Sequence, residues 1–203
     1  MNWSKVTQQA WAEAIETGGY DVTGTLKFIN GRKVSREKAD KLLRAFWHRV
    51  DKIFFGSHTT KHGIGIDRLC FIEFGECGEN LHLHFAAKSA CEPELFCCIL
   101  NAIWVAFNDD TAPLHKNWIT PIQDHTRTAG YITKETRYMR YDTAGLACCH
   151  VNPEGFKYDN HGNSGQLLRI QNRLSIKALE QAHLAYQHQL AQTQASIGNK
   201  NKL

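Results

Sequence analysis

Two histidines one residue apart, His82 and His84, and a tyrosine followed three residues later by a lysine, Tyr131 and Lys134, have the types and spacing to do chemistry together. In Leu81-His82-Leu83-His84-Phe85 the histidines alternate with apolar residues. Side chains two apart on a strand point to one face, so His82 and His84 can hold a single metal ion while Leu83 packs on the other side. Tyr131 and Lys134, three apart on a helix, are neighbours on one face, and Arg127, four residues before Tyr131, shares it. A tyrosine hydroxyl is a poor nucleophile unless its phenolate is stabilised, which a metal-bound phosphate and a lysine ammonium would do. Histidines on a metal with such a tyrosine nearby suit metal-assisted attack on a phosphodiester.

A third metal donor follows from the element that must hold the histidines. Residues 69–74 and 81–87 read as two strands of a hairpin, with Gly75-Glu76-Cys77-Gly78-Glu79-Asn80 as its turn. If Phe74 pairs with Leu81, Glu73 lies opposite His82 and Phe71 opposite His84, and cross-strand partners share a face. Glu73 then completes a site of two imidazoles and one carboxylate. That set suits Mn²⁺ or Mg²⁺, with positions left for water and phosphate oxygens. Glu76 and Glu79 are competing donors, because a one-residue slip moves Glu73 to the opposite face. Either motif alone is unspecific: His-x-His also describes a polar surface stripe, and Tyr-x-x-Lys recurs by chance in helices.

Around this pair of motifs the sequence predicts helices over residues 5–16, stopped by Gly18-Gly19, and from Ser35 as N-cap through a stripe of Leu42, Leu43, Phe46, Trp47, Val50, Ile53 and Phe54. A strand is expected over 20–28, a loop over 56–65, and a buried helix beginning near Glu92-Pro93. Residues 118–122 read as an edge segment, 124–140 as the helix carrying Tyr131, and 143–150 as a further strand. Gly130 inside that helix suggests close approach of DNA or of sheet backbone. From residue 166 the chain reads as one long helix, diluted by seven glutamines, solvent-exposed or partner-binding and frayed after Ser196. The organisation expected is a domain over 1–160 and a C-terminal helix and tail over 161–203.

The net charge of +4 says little, but its distribution says more. Eight basic residues against three acidic ones lie between Arg32 and Lys52, and Arg127, Lys134, Arg137 and Arg140 face only Glu135 in the second basic stretch. Such surpluses suit a polyanion, or a solvated helix face. Seven cysteines without a Cys-x-x-Cys pair, and no visible signal peptide or membrane-length apolar run, point to a reducing cytoplasm. Cys148-Cys149-His150, with His161 beyond, lacks the ligand spacing of a zinc site. No Walker-type glycine loop is present, which argues against an NTPase or helicase segment.

In this order, a strand, a basic helix, a hairpin with His-hydrophobe-His and a Tyr-x-x-Lys helix resemble the HUH endonuclease superfamily. Within it, the chain is similar to the single-tyrosine rolling-circle replication initiators of plasmids, phages and single-stranded DNA viruses. The resemblance covers about residues 20–150: His82-Leu83-His84 matches the second motif closely, Tyr131-Ile132-Thr133-Lys134 the third, and 22–28 the first only loosely. It implies that His82 and His84 bind the metal, that Tyr131 attacks, and that Lys134 assists at the scissile phosphate or orients the site. Thr25, Lys27, Arg127 and Arg137 are the expected DNA contacts, and Tyr138 is a second tyrosine on the same side, for packing or DNA contact rather than attack.

The implied fold is α+β, a central antiparallel sheet flanked by helices and related to ferredoxin-like nucleic-acid-binding domains, with a C-terminal helical extension. The implied activity is nicking of single-stranded or hairpin origin DNA, leaving a 5′-phosphotyrosyl link and a free 3′-OH, and rejoining of ends. A separate helicase would be needed, and a eukaryotic viral source would place the protein in the host nucleus. Single-tyrosine transposases share the motif order, although 72 residues follow Tyr131 here. Conjugative relaxases place their tyrosine before the histidines. A non-catalytic origin binder on the same scaffold needs neither Tyr131 nor the histidine pair, and a structural or regulatory metal binder would show no preference for single-stranded DNA.

Overall fold

The computed structural model describes residues 2–75, 80–138, 143–154, 156–157 and 164–200. Four antiparallel strands form one sheet: β1 (Val22–Lys27), β2 (Arg68–Glu73), β3 (His82–Ala87) and β4 (Trp118–Pro121), in the order β2-β3-β1-β4. Helices α1 (Trp3–Thr17), α2 (Arg36–Lys61), α3 (Pro93–Val105) and α4 (His125–Ile132) flank it, and α5 (Ser164–Arg173) and α6 (Ile176–Lys200) follow. The α+β class and flanked antiparallel sheet expected from the sequence are what the chain forms.

Strand alternation gives the sheet two unlike faces. Val22 and Leu26 on β1, Cys70 and Ile72 on β2, and Leu83, Phe85 and Ala87 on β3 share the main core with the Phe46, Trp47 and Trp104 side chains of α2 and α3. On the other face, Leu69, Phe71 and Ala86 pack with Ile15, Tyr20, Ala129 and Ile132, so α1 and α4 cover one end of the sheet. The histidines, Glu73, Thr25 and Lys27 occupy the rest of that second face. Because the first face is filled, the register cannot slip without driving polar groups into the core.

Arg68 joins three segments behind the hairpin: its Nη1 donates to Asp51 Oδ1 and Oδ2 at 2.9 and 3.0 Å, and its Nε to the Cys148 carbonyl at 2.9 Å. Residues 143–150, expected as a strand, instead touch the β2 edge at two isolated bridges, Phe71 to Ala144 and Arg68 to His150. Between them the chain turns away, with the Cys148 and Cys149 N–H groups both donating to the Gly145 carbonyl. Among the described residues, the cysteines there and elsewhere form no disulfide.

Two helices depart from expectation for local reasons. α2 continues past the predicted loop start to Lys61, broken at Gly56, whose φ of 80° lies in the left-handed region. Arg169 of α5 donates Nε to the Ile53 carbonyl and Nη2 to that of Phe54, both at 2.8 Å, satisfying the acceptors freed by the break. The expected single C-terminal helix is two, because Ser175 starts a new one: its Oγ accepts from Ala178 N at 3.1 Å. Nor does this extension stand out in solvent. Ile170, Leu174, Ala182 and Tyr186 belong to the main core, and buried Gln189 donates to the Asn117 carbonyl. No described helix is long and apolar enough to cross a membrane.

At Gly24 in the middle of β1, an added Cβ would overlap the fully buried Phe85 ring and press on Ile119. Gly24→Ala is therefore expected to destabilise the fold by about 1–3 kcal/mol, the range for overpacking a filled core. Urea denaturation would check this, and an unchanged midpoint would mean that Phe85 is free to move.

Candidate metal centre

The hairpin pairs as its sequence predicts: Glu73 lies opposite His82 and Phe71 opposite His84, with Asn80 N donating to the Phe74 carbonyl to close the ladder. β1 extends both rows, placing Lys27 beside His82 and Thr25 beside His84. One row across three strands thus reads Lys27, His82, Glu73, and the next Thr25, His84, Phe71. The competing donors Glu76 and Glu79 lie outside the described residues, as do His161 and Arg140.

The donor atoms converge. His82 Nε2 is 3.1 Å from His84 Nε2, and Glu73 Oε2 is 3.2 Å from His84 Nε2 and 3.6 Å from His82 Nε2. Around one ion with bonds of about 2.1 Å, ligands stand roughly 3.0 Å apart at adjacent octahedral positions and roughly 3.4 Å apart in a tetrahedron. The trio matches those separations, and it is buried, Glu73 and His84 completely. Glu73, His82 and His84 therefore form a group able to bind a metal ion, and among the described residues no other trio of His, Cys, Asp or Glu does so.

The atoms behind the rings favour ligation. His82 Nδ1 is 2.7 Å from the Asn80 carbonyl oxygen, which can only accept, so the neutral ring carries its proton on Nδ1 and Nε2 is bare. His84 Nδ1 is 2.9 Å from Thr25 Oγ1, a hydroxyl able to accept Nδ1–H in the tautomer that bares the second Nε2. Burial pushes the His84 imidazole down to about 4, against the opposing pull of the Glu73 carboxylate. Burial alone would raise the Glu73 carboxyl, but contacts with His82, His84 and Lys134 outweigh it and hold the group well below the usual carboxylate range. With His84 neutral at neutral pH, the cation that balances Glu73 is Lys134, whose Nζ lies 2.5 Å from Oε2 and 3.4 Å from His84 Nε2.

Tyr131 stands beside this trio. Its ring centroid is 5.2 Å from that of His84, and the Lys134 ammonium is 4.3 Å from its centre. The expected helix 124–140 does not produce this proximity. Asp124 caps α4, accepting from Arg127 N at 2.9 Å, but the helix stops at Ile132, where buried Thr133 turns its hydroxyl back onto the Ala129 carbonyl. Lys134 to Arg137 then form a 3-10 turn. Glu135 fixes that turn to the hairpin: its carboxylate accepts from Phe74 N at 2.8 Å and Gly75 N at 2.7 Å. Glu135 and Asn80 were missed by sequence reasoning. A lone acid in a basic run was the signal for the first, whereas the second acts through its backbone carbonyl and leaves no signal.

A cavity of about 520 Å³ opens beside the trio, with His82 on its wall together with Lys27, Asn80, Tyr131, Lys134 and Tyr138. Thr25 also lines it, although its hydroxyl is engaged with His84. On the far side of Tyr131 a second hollow of about 260 Å³ is walled by Thr23, Thr120, Trp118 and Arg127. Arg137 lies outside both, exposed, with its guanidinium 5.7 Å from the centre of the Tyr138 ring. Among the described residues, a Cβ at Gly130 would meet nothing within 4 Å, so no sheet backbone approaches there. Of the first basic cluster, Lys38 pairs with Asp110 and Arg44 with Asp40.

The depressed His84 gives the metal-free protein a defined pH response. Between its ordinary value of about 6.5 and about 4, the unfolded chain takes up a proton that the native protein does not, so stability falls as pH drops through that window. Glu73 acts in the same direction lower down: its contribution is present above the ordinary carboxylate value and is lost as pH falls below it. In EDTA, wild type should therefore lose up to about 1.4 kcal/mol per pH unit more than His84→Gln between pH 6 and 5. Parallel curves in urea denaturation would contradict a neutral, buried His84.

No family model, curated protein or solved structure matches this chain, so the chemistry of the centre has to be taken from its own residues.

Proposed function

We propose that this protein is a metal-dependent single-strand DNA endonuclease of the HUH type, acting as a rolling-circle replication initiator. The observation that carries the proposal is one cavity whose wall holds His82 of the Glu73-His82-His84 group, a half-exposed tyrosine and a lysine whose ammonium reaches both that group and the tyrosine ring. Binding DNA needs no such combination. A nucleophile beside a metal trio does suit displacement at phosphorus.

Mn²⁺ or Mg²⁺ bound by Glu73, His82 and His84 would draw charge from a non-bridging phosphate oxygen. Tyr131 would attack that phosphorus. Its phenol oxygen forms the new bond to phosphorus, the bond to the 3′ oxygen breaks, the phenol proton passes to solvent and the 3′ oxygen leaves as a hydroxyl. Lys134 supplies positive charge where the phenolate develops. The 5′ end stays on Tyr131, so the reverse reaction with another 3′-OH rejoins the strand.

The two hollows on either side of Tyr131 give a single strand a path over the uncovered part of the sheet. Lys27 offers a phosphate contact on the metal side. Arg127 offers one on the other, and Trp118, about one-third exposed there, offers a ring on which a base can stack.

Labelled single-stranded oligonucleotides from candidate origins, incubated with Mn²⁺ and run on denaturing gels, test this directly. A protein-linked product is expected, absent in EDTA. Tyr131→Phe should lower its formation by roughly three orders of magnitude or more while leaving DNA retardation intact. His82→Ala should lose cleavage and metal binding together. Linkage that survives Tyr131→Phe but vanishes in Tyr138→Phe would move the nucleophile to the later tyrosine, and retardation without any cutting would favour an origin-binding protein. The same donor set can hold iron(II), so turnover confined to Fe²⁺ and oxygen would redirect the assignment to oxidation.

A further inference from the structure

Lys134 and a divalent cation want the same oxygen. The ammonium lies 2.5 Å from Glu73 Oε2 and 3.4 Å from His84 Nε2, inside the donor set that a metal would use. A metal bound to that carboxylate at about 2.1 Å would stand within about 4.6 Å of the lysine nitrogen in its present place. Two cations so close, sharing one carboxylate at a mostly buried site, repel strongly. One of them has to give way.

The structure shows which one can. Glu73, His82 and His84 sit on paired strands with their side chains buried, so the donors cannot retreat. The backbone at Lys134 is equally fixed, since Glu135 is clamped to Phe74 N and Gly75 N and its own N–H points to Glu73 Oε1 at 3.4 Å. The Lys134 side chain, by contrast, is over one-third exposed and lines the open cavity. On that side its ammonium lies 4.3 Å from the centre of the Tyr131 ring.

We propose that Lys134 is an exchangeable occupant of the metal centre: divalent metal displaces its ammonium from Glu73 into the cavity beside Tyr131. The inference rests on the metal-binding reading of the trio and deepens it. Without metal, the lysine caps the donors and its charge is spent on Glu73. With metal, that charge is freed next to the tyrosine, so loading the centre and arming the nucleophile's surroundings become one event. It also makes Lys134 a competitor that weakens metal binding, the opposite of what a supporting residue would do.

That sign is the test. Mn²⁺ affinity would be measured on the full chain, without DNA, by titration calorimetry and by the electron paramagnetic resonance of free Mn²⁺. Lys134→Met should bind Mn²⁺ at least tenfold more tightly than wild type, whereas Lys134→Arg, which keeps a cation, should bind no more tightly. The thermal midpoint of Lys134→Met should also rise further on adding Mn²⁺ than that of wild type. Should Lys134→Met fail to fold, Lys134→Gln, which keeps a hydrogen-bond donor for the carboxylate, provides the same comparison. Equal or weaker Mn²⁺ binding by the neutral variants would overturn the exchange while leaving the metal centre standing. Binding by neither wild type nor any variant would overturn both.

Discussion

Three electron-rich atoms pointed at one spot are the constraint on which this structure depends. Glu73 Oε2, His82 Nε2 and His84 Nε2 stand 3.1 to 3.6 Å apart, and among them His84 alone could offer a proton, since the proton of neutral His82 is committed to the Asn80 carbonyl. Buried acceptors facing one another are unfavourable unless something positive lies between them. The arrangement therefore suits a cation, a place that Lys134 takes here and that a metal ion also fits. A surface His-x-His stripe would form no such place, because its rings would turn to water.

Holding that arrangement takes more than the hairpin. Side chains on a strand relax apart unless their rotamers are fixed, and each member is fixed from behind: His82 by Asn80, His84 by Thr25 of the next strand, Glu73 by the 3-10 turn that carries Lys134. The opposite face locks the strands themselves. Gly24 admits the Phe85 ring, Phe85 packs on Trp47, and the Arg68–Asp51 pair ties β2 to α2. Polar precision on one face is thus secured by apolar packing on the other.

The parts of this that were legible in the sequence are those governed by short periods. Alternation put His82 and His84 on one face and Leu83 and Phe85 on the other, and the glycine-containing turn pointed to Glu73 opposite His82, with Glu76 and Glu79 left as competitors until the pairing of Phe74 was known. The apolar stripe of α2 and the Pro93 start of α3 were equally plain. What could not be read depends on single non-local contacts. Nothing in 124–140 announces that Thr133 ends the helix, and the approach of Lys134 to the trio follows from the Glu135 clamp rather than from helical spacing. In the C-terminal extension the glutamines suggested solvent, yet Gln189 is buried because the Asn117 carbonyl needs a donor.

The division between rigid and accessible groups gives the site a direction. The sheet backs the trio from below, α1 and α4 close one end, and the cavity opens on the side where Tyr131 and Lys134 stand. The cavity therefore brings a ligand to His82 beside the tyrosine and the lysine together. Tyr131 can be half exposed without being loosely placed, since α4 is anchored by Ala129 and Ile132 beneath it while its Gly130 side stays open. A buried trio with a half-exposed tyrosine beside it sets rigid donors next to a group that solvent can reach. The second hollow, with Arg127 and Trp118 on its walls, shares Tyr131 and Thr25 with the first, so the tyrosine stands between two concave surfaces rather than at the bottom of one.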